Sequence, residues 1–535
     1  MLINQPPVRQ TTVPPITSTM TLYSQLESHL VSSPLDDSSE FLPLGDLDAI
    51  ITLDSITAEL RFADRWLHPA LPRRIHEEAK NIFAILVLMQ EPGAIKSLIC
   101  EDGITDEDLP LCRNGDKGDS EYNVLVSPGG NKTFNSFNKW FKECRIADFL
   151  EKQWVVQAPI LTGNGEHFQL NRRCALPLIE CKREAHGGSG VVYRSTIHPS
   201  HTLDPQTTQI AVKEFKHKHE FLKEKENLDE IKYLQHTHLI KPIATCEKAS
   251  MFCIMFPWAD GGNLREFWKN HDASARTSDL FMWSLKQMLG IVGAIEALHN
   301  RNIRHGDIKP QNILYFTDSG SGNNDNKRGI FIISDVGISR RHTEVTGMRN
   351  IATSTREVTV SYEAPEAESD SREGRPRSRL FDMWSLGCLT LEFTVWLVYN
   401  FRAVRSFRRW RTSADEQTTA PGNFFTQLSH GSVEINSAVS EAISHLRDNP
   451  LCGAGTALGD LIQLIEEHLL QVEAEQRAKA PELRARLETI VRSAEENPQY
   501  LKPHVDQVPA IPEFFTRAGS RQGSSSEPTP PRPGD

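Results

Sequence analysis

The pattern of apolar residues changes after Trp154, and this change constrains the fold more than any other feature of the 535-residue sequence. Short runs rich in β-branched residues appear first, bounded by glycine, proline and polar residues, which is typical of strands. These runs are Leu176–Ile179, Gly190–Tyr193, Ile210–Val212 and Cys253–Phe256. Long helical patterns follow over Leu280–His299 and Asp382–Trp396. Strands followed by helices predict an α+β domain, which we place at residues 165–495.

The region before this domain has a mainly helical pattern. Apolar residues recur every three or four positions through Leu53–Trp66, Ile75–Met89 and Phe134–Phe149. No set of polar residues there suggests a catalytic site, so we interpret residues 21–150 as a helical domain that packs or binds a protein partner and is dispensable for chemistry. Residues 1–20 and 519–535, rich in proline and hydroxyl residues, are predicted to be disordered.

Composition excludes several function classes. The net charge of -11 argues against nucleic-acid binding, which requires a basic surface. The nine cysteines include no C-x-x-C pair, which fits neither a zinc site nor a disulfide framework. The start of the chain has no secretory signal, and the run Ile82–Met89 is far shorter than the ~20 residues that cross a bilayer. We therefore expect a cytoplasmic or nuclear protein without membrane binding.

A glycine-rich turn precedes a lysine that ends an apolar strand. Gly187, Gly188 and Gly190, followed by Val192, would let backbone N–H groups approach phosphate oxygens closely. A plain β-turn would also explain these glycines. Burial of Lys213 would require an anionic partner, unless its ammonium group reaches solvent.

The next helical pattern offers several carboxylates to Lys213. Its apolar stripe consists of Phe221, Leu228, Ile231 and Leu234. Glu224 lies within this stripe, whereas Glu226 lies nearly opposite and should be solvated. Asn227 also borders the stripe. We predict that Glu224 is the partner of Lys213.

Two later segments combine acidic and basic residues with apolar flanks. The first, residues 303–314, reads IRHGDIKPQNIL and contains Asp307, Lys309 and Asn312. The second is an apolar strand that ends at Asp335 and is followed by Val336 and Gly337. A carboxylate at the end of a buried strand suits a divalent cation, and Mg²⁺ prefers such ligands together with nucleotide phosphates. A D-x-G sequence alone would be only a turn.

These segments, in this order, resemble a eukaryotic protein kinase across residues 165–495. The motif YEAPE at residues 362–366, DMWSLG at 382–387 and the late arginine Arg477 complete the resemblance. The sequences FPWADGGNLREFW and HGDIKPQNIL further resemble those of a group of largely uncharacterised fungal kinases. In that group F-x-x-E precedes H-x-H-L-I, which matches Phe221–Glu224 and His236–Ile240. The resemblance implies a bilobal fold, with a strand-rich N-lobe, a helical C-lobe and Mg-ATP between them.

The resemblance also implies catalytic roles for named residues. Asp307 would accept the proton of the substrate hydroxyl, and Lys309 would neutralise the transferring phosphoryl group. Asn312 and Asp335 would bind Mg²⁺. Lys213, held by Glu224, would bind ATP phosphates together with Gly187, Gly188, Gly190 and Val192.

Further roles concern the nucleotide base, the substrate class and structural support. Adenine would contact the Pro257 carbonyl and the Ala259 N–H at the hinge, with Asn263 also binding the nucleotide. Lys309, together with Thr359, is the form found in serine/threonine kinases, so the expected substrate is a protein hydroxyl. The residues expected to give structural support are His305, packed in the core, Asp382, bound to backbone N–H groups, and Arg477, paired with Glu366.

Three departures from the family pattern leave an alternative open. Ala185, Gly306 and Val336 replace the usual glycine, arginine and phenylalanine, which is compatible with a pseudokinase or scaffold that binds partners through residues 21–150. A small-molecule kinase is disfavoured because the A-P-E element shapes a peptide-binding surface. The basic run Phe401–Arg411 is interpreted as a solvated helix extension, with an anion or acidic-substrate site as the alternative.

Overall fold

A computed structural model describes most of the chain. The described residues are 20–35, 39–113, 124–139, 143–186, 190–204, 208–317, 328–335, 361–367, 378–413, 422–428, 432–505 and 510–516. Gly187, Gly188, Val336, Thr359 and almost all of the two terminal segments predicted to be disordered lie outside these residues.

The described elements before residue 160 are short helices and two-residue strands, and most of the longer helices and strands follow after it. The helices are α1 Leu22–Ser28, α2 Leu44–Ile50, α3 Leu53–Glu59, α4 Phe62–Leu67, α5 Leu71–Glu78, α6 Lys80–Leu88, α7 Ile95–Cys100, α8 Glu143–Lys152, α9 Lys218–Ile231, α10 Leu264–Asn270, α11 Ser278–His299, α12 Leu380–Val398, α13 Phe401–Ser413, α14 Ser437–Arg447, α15 Ala457–His468, α16 Ala480–Glu496, α17 Pro498–Leu501 and α18 Glu513–Thr516. The strands are β1 Val31–Ser32, β2 Glu40–Phe41, β3 Cys112–Arg113, β4 Leu125–Val126, β5 Thr133–Phe134, β6 Glu166–Leu170, β7 Leu178–His186, β8 Gly190–Ile197, β9 Gln209–Phe215, β10 Ala244–Lys248, β11 Met251–Pro257, β12 Ile313–Phe316, β13 Ile330–Ile333, β14 Phe425–Gln427 and β15 Val433–Ile435.

The chain divides into two compact units. The first contains residues 1–184, 193–212 and 246–251, and the second contains 185–192, 213–245 and 252–535. In the first unit, every residue of α6 from Ile82 to Leu88 is buried, so this helix forms the centre of the core. A helix that is apolar on all sides must be covered on all sides, and the neighbouring short helices supply that cover.

The predicted helical character of residues 21–150 is confirmed, but the helices are shorter than the sequence pattern suggested. The pattern Leu53–Trp66 is interrupted because Leu60 adopts an extended conformation and ends α3. The pattern Ile75–Met89 is likewise divided at Ala79, between α5 and α6. In the third pattern, the residues before α8 form β5 and a 3₁₀ turn. Apolar periodicity survives such breaks because each piece still faces the same core.

Residues from before position 50 contact later segments within the first unit. The ammonium group of Lys248, at the end of β10, is buried and donates to Ser39 Oγ at 2.9 Å. The ring of His201, in the connection between β8 and β9, accepts from the Leu44 backbone N–H at 3.3 Å through Nε2. Its Nδ1 donates to the Pro159 carbonyl at 3.1 Å. These buried polar contacts fix the start of the helical region against strands of the predicted α+β domain.

Six strands form the largest sheet, in the order β6–β10–β11–β9–β8–β7. All four β-branched runs noted in the sequence fall wholly or partly in its strands. Residues after the sheet are mainly helical, so the predicted α+β class is confirmed.

The second unit is organised around the buried helix α12. This helix is long and apolar enough to cross a membrane, but 89% of its most apolar window is buried inside the protein, as in a core helix. Gly387 allows a close approach, because a Cβ atom there would lie 2.9 Å from Leu469 Cβ. Strands β12 and β13 pair antiparallel, with Ile313 opposite Ile333. This register brings the residues just before β12 next to those just after β13.

Candidate active site

Lys213 and Glu224 form a close ion pair. Lys213 lies on β9, and its Nζ donates to both carboxylate oxygens of Glu224 at 2.8 Å. Glu224 is presented by α9, whose residues Phe221 and Leu228 are buried on the same stripe. Glu226 is exposed, as predicted. The predicted partner of Lys213 is therefore the one found in the structure.

Asp335 completes a triad around the same ammonium group. Lys213 Nζ donates to Asp335 Oδ1 at 3.0 Å. The side chains of Lys213 and Glu224 are each 15% exposed, whereas that of Asp335 is 38% exposed. With all three groups ionised, the triad has two negative charges and one positive charge. The triad therefore has a net charge of -1, and Asp335 is its most exposed carboxylate, the one that a ligand can reach most easily.

The pKa values of the triad follow from this arrangement. Burial alone would lower the pKa of Lys213, but the carboxylates of Asp335 and Glu224 outweigh burial and raise it. Burial raises the pKa of Glu224 despite the opposing effect of Lys213. The Lys213 charge lowers the pKa of Asp335, even though burial opposes this shift. Lys213 and Asp335 are therefore both charged near neutral pH.

The backbone of Asp335 is strained. Its φ of 55° lies in the left-handed region, which costs a non-glycine residue about 1–2 kcal/mol. This conformation coincides with the 3.0 Å contact to Lys213. Such strain persists only where surrounding contacts determine the conformation, and it is typical of functional sites.

Asn312 is held beside the segment that carries Asp335. The Ser334 backbone N–H donates to the Asn312 carbonyl at 2.9 Å, and Ser334 Oγ donates to the same oxygen at 3.2 Å. The Asn312 side-chain nitrogen donates to the Asp307 carbonyl at 2.8 Å and to Asp307 Oδ2 at 2.9 Å. Because the amide nitrogen is used in this way, the amide oxygen is the atom available as a metal ligand.

Asp307 and Lys309 are in direct contact. Lys309 Nζ donates to Asp307 Oδ2 at 2.7 Å, the same oxygen that Asn312 contacts. Lys309 and Asn312 therefore both hold the Asp307 carboxylate through its Oδ2 atom. The structure brings Asp307, Lys309 and Asn312 together as the sequence pattern predicted, while their catalytic roles remain predictions.

His305 is packed in the core, as predicted. The side chain is fully buried. Its Nδ1 accepts from the Asp307 backbone N–H at 3.2 Å, so its Nε2 carries the proton and donates to the Ser334 carbonyl at 2.9 Å. The ring thus links the two segments that carry Asp307 and Asp335.

Asp382 stabilises the loop that carries His305 and Asp307. Its carboxylate is fully buried and accepts from the backbone N–H groups of His305 at 2.8 Å and Gly306 at 2.7 Å. A third bond at 2.9 Å comes from His299 Nε2. Burial alone would raise the pKa of Asp382, but the contact with His299 and the other donors lower it overall. The predicted binding of backbone N–H groups is confirmed.

Glycine has a conformational role at position 306. Its φ of 76° is left-handed, which glycine adopts without steric cost. Glycine in place of the arginine of the family pattern therefore avoids backbone strain at the residue directly before Asp307.

Gly190 has a packing role that the sequence did not reveal. A Cβ atom at this position would lie 1.9 Å from the backbone oxygen of Glu214 on β9. Only glycine permits this approach of β8 to β9, whatever its role toward phosphate. Val192 lies on β8 and is half-buried.

The predicted hinge follows β11, which ends at Pro257. The Gly261 N–H donates to the Tyr315 carbonyl at 3.0 Å, which anchors the hinge to β12. Asn263 caps α10, because its Oδ1 accepts from the N–H groups of Arg265 and Glu266. Asn263 is therefore already committed to a structural contact, and nucleotide binding by Pro257, Ala259 and Asn263 stays a prediction.

Arg477 anchors the segment that ends in Glu366. Its two terminal nitrogens donate to the two Glu366 oxygens at 2.7 and 2.8 Å, a bidentate contact. The Arg477 side chain is fully buried. The pairing predicted from the late arginine is confirmed.

A second buried arginine was not predicted. Arg411, within the basic run interpreted as a solvated helix extension, is fully buried and donates to Glu392 Oε1 at 2.7 Å. Tyr362 donates to the other oxygen of Glu392 at 2.5 Å. The guanidinium group also lies over the rings of Phe407 and Phe424. The solvated interpretation is therefore wrong for Arg411, because α12 supplies an acidic partner 19 residues earlier in the chain.

Comparison with known proteins identifies a matching family. The family model described as "Protein kinase domain" matches residues 186–483. This match includes the triad, the Asp307 loop and Arg477, and it covers more than half of the chain.

Several curated proteins are similar over part of the same region. A calcium/calmodulin-dependent protein kinase of Metarhizium anisopliae is 28% identical over 163 residues, which are 30% of this chain and 37% of that protein. The serine/threonine-protein kinase nekl-2 of Caenorhabditis elegans is 30% identical over 166 residues, 30% of this chain and 42% of its own length. The mitogen-activated protein kinase kinase kinase mkh1 of Cytospora mali is 27% identical over 167 residues, 31% of this chain and 8% of its own length. The aligned segment spans less than half of each relative.

Proposed function

This chain belongs to the protein kinase domain family, and from that premise we propose that it is a serine/threonine kinase that transfers the γ-phosphoryl group of Mg-ATP to a protein hydroxyl. The observation that carries the proposal is the triad of Lys213, Glu224 and Asp335. A lysine held by one carboxylate beside a second, more exposed carboxylate is suited to bind a nucleotide phosphate and its metal ion.

The residues present fit Mg-ATP. Among the described residues, no cluster of three or more histidine, cysteine or acidic side chains could hold a metal ion alone. The Asp335 carboxylate and the Asn312 amide oxygen instead form a partial set of oxygen ligands, which suits Mg²⁺ because this ion also takes phosphate oxygens and water. When bound, Mg²⁺ would neutralise the phosphate charge that develops during transfer.

The chain's own residues supply positioning and proton transfer. Lys213 would hold phosphate oxygens, with Glu224 fixing its direction. Asp307 would orient the acceptor hydroxyl and take its proton, while Lys309 would stabilise the moving phosphoryl group. Phosphoryl transfer needs little covalent chemistry from the protein, so these positioning contacts are its main contribution.

The proposal extends to the surroundings of the protein. The eight described cysteines form no disulfide, which suits a reducing compartment such as the cytoplasm or nucleus. The acceptor would be a serine or threonine of a protein substrate. We favour activity over the alternative of an inactive scaffold, because the sequence retains each residue predicted to act in catalysis.

The proposal is tested with purified protein, γ-labelled ATP, Mg²⁺ and a generic acceptor protein. Lys213→Met and Asp335→Ala should each reduce transfer more than a hundredfold, since each removes a charge that binds phosphate or metal. Lys241→Met is the matched control, because Lys241 is exposed and its side chain forms a hydrogen bond with Gln235 and no ion pair with the described residues. Circular dichroism should show that all three variants are folded. Near-normal transfer by either site variant would refute the assignment.

A further inference from the structure

Helix α13 carries an unusual concentration of positive charge. In a chain with a net charge of -11, its 13 residues include five arginines and no acidic residue. The arginines are Arg402, Arg405, Arg408, Arg409 and Arg411. Arg411 is buried and paired with Glu392, so four guanidinium groups remain to be explained.

These four arginines share one face of the helix. At 100° per residue, Arg402, Arg405 and Arg409 fall within about 60° of one another, and Arg408 lies beside them. Arg402, Arg405 and Arg409 are exposed and Arg408 is half-buried. The opposite face is buried through Ala403, Val404, Phe407 and Arg411. We call Arg402, Arg405, Arg408 and Arg409 the arginine face.

The arginine face has no acidic partner in the described part of the chain. Arg405, Arg408 and Arg409 form no ion pair with any described residue, and Arg402 donates only to the Thr516 carbonyl, at 3.3 Å. Helix α16 provides a contrast, because its exposed Arg484 and Arg486 each pair with glutamates. Like charges on neighbouring turns repel one another, so a face of this kind is relieved by an external anion.

The arginine face ends beside the segment Ser361–Ala367, which carries the A-P-E element. Thr412 continues the face and donates to the Arg408 carbonyl at 3.0 Å. A Cβ atom at Gly422 would lie 3.1 Å from Thr412 Oγ1 and 3.6 Å from Ser361 Oγ, so these residues meet around Gly422. Burial and the Glu392 carboxylate raise the pKa of Tyr362, and the charges of Arg411 and Arg408 oppose that rise. Arg408 is therefore close to this segment.

We propose that the arginine face binds an acidic segment of the protein substrate. This inference rests on the proposed kinase function and specifies its substrate class. A peptide is favoured over a nucleic acid or an anionic membrane because the four arginines occupy one face of a single helix and the chain is negative overall. Arginine suits this role because its planar group pairs with carboxylates through two hydrogen bonds.

The test uses synthetic peptides with one serine and either a glutamate-rich or a glutamine-rich flank, placed before or after the serine. The full chain should show a KM about tenfold lower for a glutamate-rich peptide, because several exposed ion pairs of modest individual strength act together. The triple variant Arg405→Gln/Arg408→Gln/Arg409→Gln should lose this preference. Its kcat, its KM for ATP and its KM for the glutamine-rich peptide should remain those of the parent. The preference of the parent should also weaken as salt concentration rises.

Two controls make the outcome decisive. The double variant Arg486→Gln/Arg492→Gln removes two exposed charges from α16 and should keep the preference. The triple reversal of Arg405, Arg408 and Arg409 to glutamate should favour lysine-rich peptides instead. An active enzyme that does not distinguish the two flanks, or a triple glutamine variant that retains the preference, would overturn the inference. Absence of transfer to every peptide and protein acceptor would instead count against the proposed kinase function.

To separate binding from catalysis, a fluorescent glutamate-rich peptide can be titrated into the Lys213→Met variant. Binding should be at least fivefold tighter than for the glutamine-rich peptide, and the triple glutamine substitution should abolish the difference. Equal binding of the two peptides would contradict the proposal even if the enzyme were inactive.

Discussion

Replacing Asp382 with asparagine tests how the buried carboxylate controls the loop that carries Asp307. The substitution preserves size and shape but replaces one acceptor oxygen with a donor. Oδ1 accepts from the Gly306 N–H, while Oδ2 accepts from the His305 N–H and from His299 Nε2. Whichever way the new amide turns, at least one N–H group of the loop will face another N–H group.

The expected loss of stability follows from these three bonds. A hydrogen bond to a charged group contributes about 1.5–3 kcal/mol, and a buried donor without an acceptor adds its own cost. The less costly orientation of the asparagine loses the Gly306 bond and weakens the other two. We therefore expect a loss of about 2–4 kcal/mol, or roughly 5–10 °C in melting temperature.

The substitution should affect catalysis by moving the Asp307 carboxylate rather than by weakening nucleotide binding. Gly306 directly precedes Asp307, so a displaced loop will misplace the carboxylate that we propose orients the acceptor hydroxyl. A misplacement of about 1 Å can reduce the rate about a hundredfold. We expect kcat to fall by that factor, while KM for ATP changes by less than about threefold, because Lys213 and Asp335 are untouched.

The pH dependence provides a separate signature. The pKa of Asp382 is lowered in the folded protein, so the carboxylate contributes stability above its ordinary pKa of about 4, and that contribution is lost as the pH falls through the folded value. The difference in unfolding free energy between parent and Asp382→Asn should therefore be constant above about pH 5 and shrink in acid.

The assays are thermal unfolding between pH 3 and pH 8 and steady-state kinetics with the generic acceptor. Asp279→Asn, at an exposed site in the first turn of α11, is the control and should change stability by less than about 1 kcal/mol. A loss below 1 kcal/mol together with an unchanged kcat in Asp382→Asn would refute the reasoning, because the loop would then not depend on this carboxylate.

Two further predictions concern the first part of the chain. Gly190→Ala should separate β8 from β9, because the new Cβ atom would meet the Glu214 carbonyl. We expect the free energy of unfolding to fall by about 2–3 kcal/mol and ATP binding, measured by calorimetry, to weaken. Gly93→Ala is the control and should change neither, because a Cβ atom there would have no atom within 4 Å. Deletion of residues 1–156 should lower both melting temperature and activity, since it removes the Ser39 contact of buried Lys248. Full activity and an unchanged melting temperature of the truncated protein would contradict this prediction and support the expectation from the sequence that the helical region is dispensable for chemistry.

The sequence predicted those site contacts whose residues carry a local pattern. Glu224 could be chosen because its place in an apolar stripe forces it toward the interior, where a charged group needs a partner. Asp335 could be chosen because it ends an apolar strand. For Glu224, periodicity determines the direction of the side chain, and the structure provides the expected partner, Lys213. The contact of Asp335 with Lys213 was not predicted from the sequence.

Other features depended on tertiary contacts that no local pattern contains. Arg411 lies in a run of exposed arginines, and only the position of Glu392 on the preceding helix explains its burial. The division of Leu53–Trp66 into two helices depends on one extended residue, Leu60. The packing role of Gly190 depends on the distance to a neighbouring strand. The burial of Arg411 and the packing of Gly190 are determined by residues of other elements, and the helix break is determined by the backbone conformation of one residue.

Two buried arginines of the second unit, Arg477 and Arg411, act on the two ends of one segment. Arg477 pairs with Glu366 near its end, and Arg411 reaches Tyr362 near its start through Glu392. Buried ion pairs add little net stability, because their attraction only offsets the cost of removing charges from water. Their effect is to fix position, because any displacement would leave a buried charge without its partner. These contacts therefore hold both ends of the segment with the A-P-E element in place beside the arginine face that we propose binds the substrate.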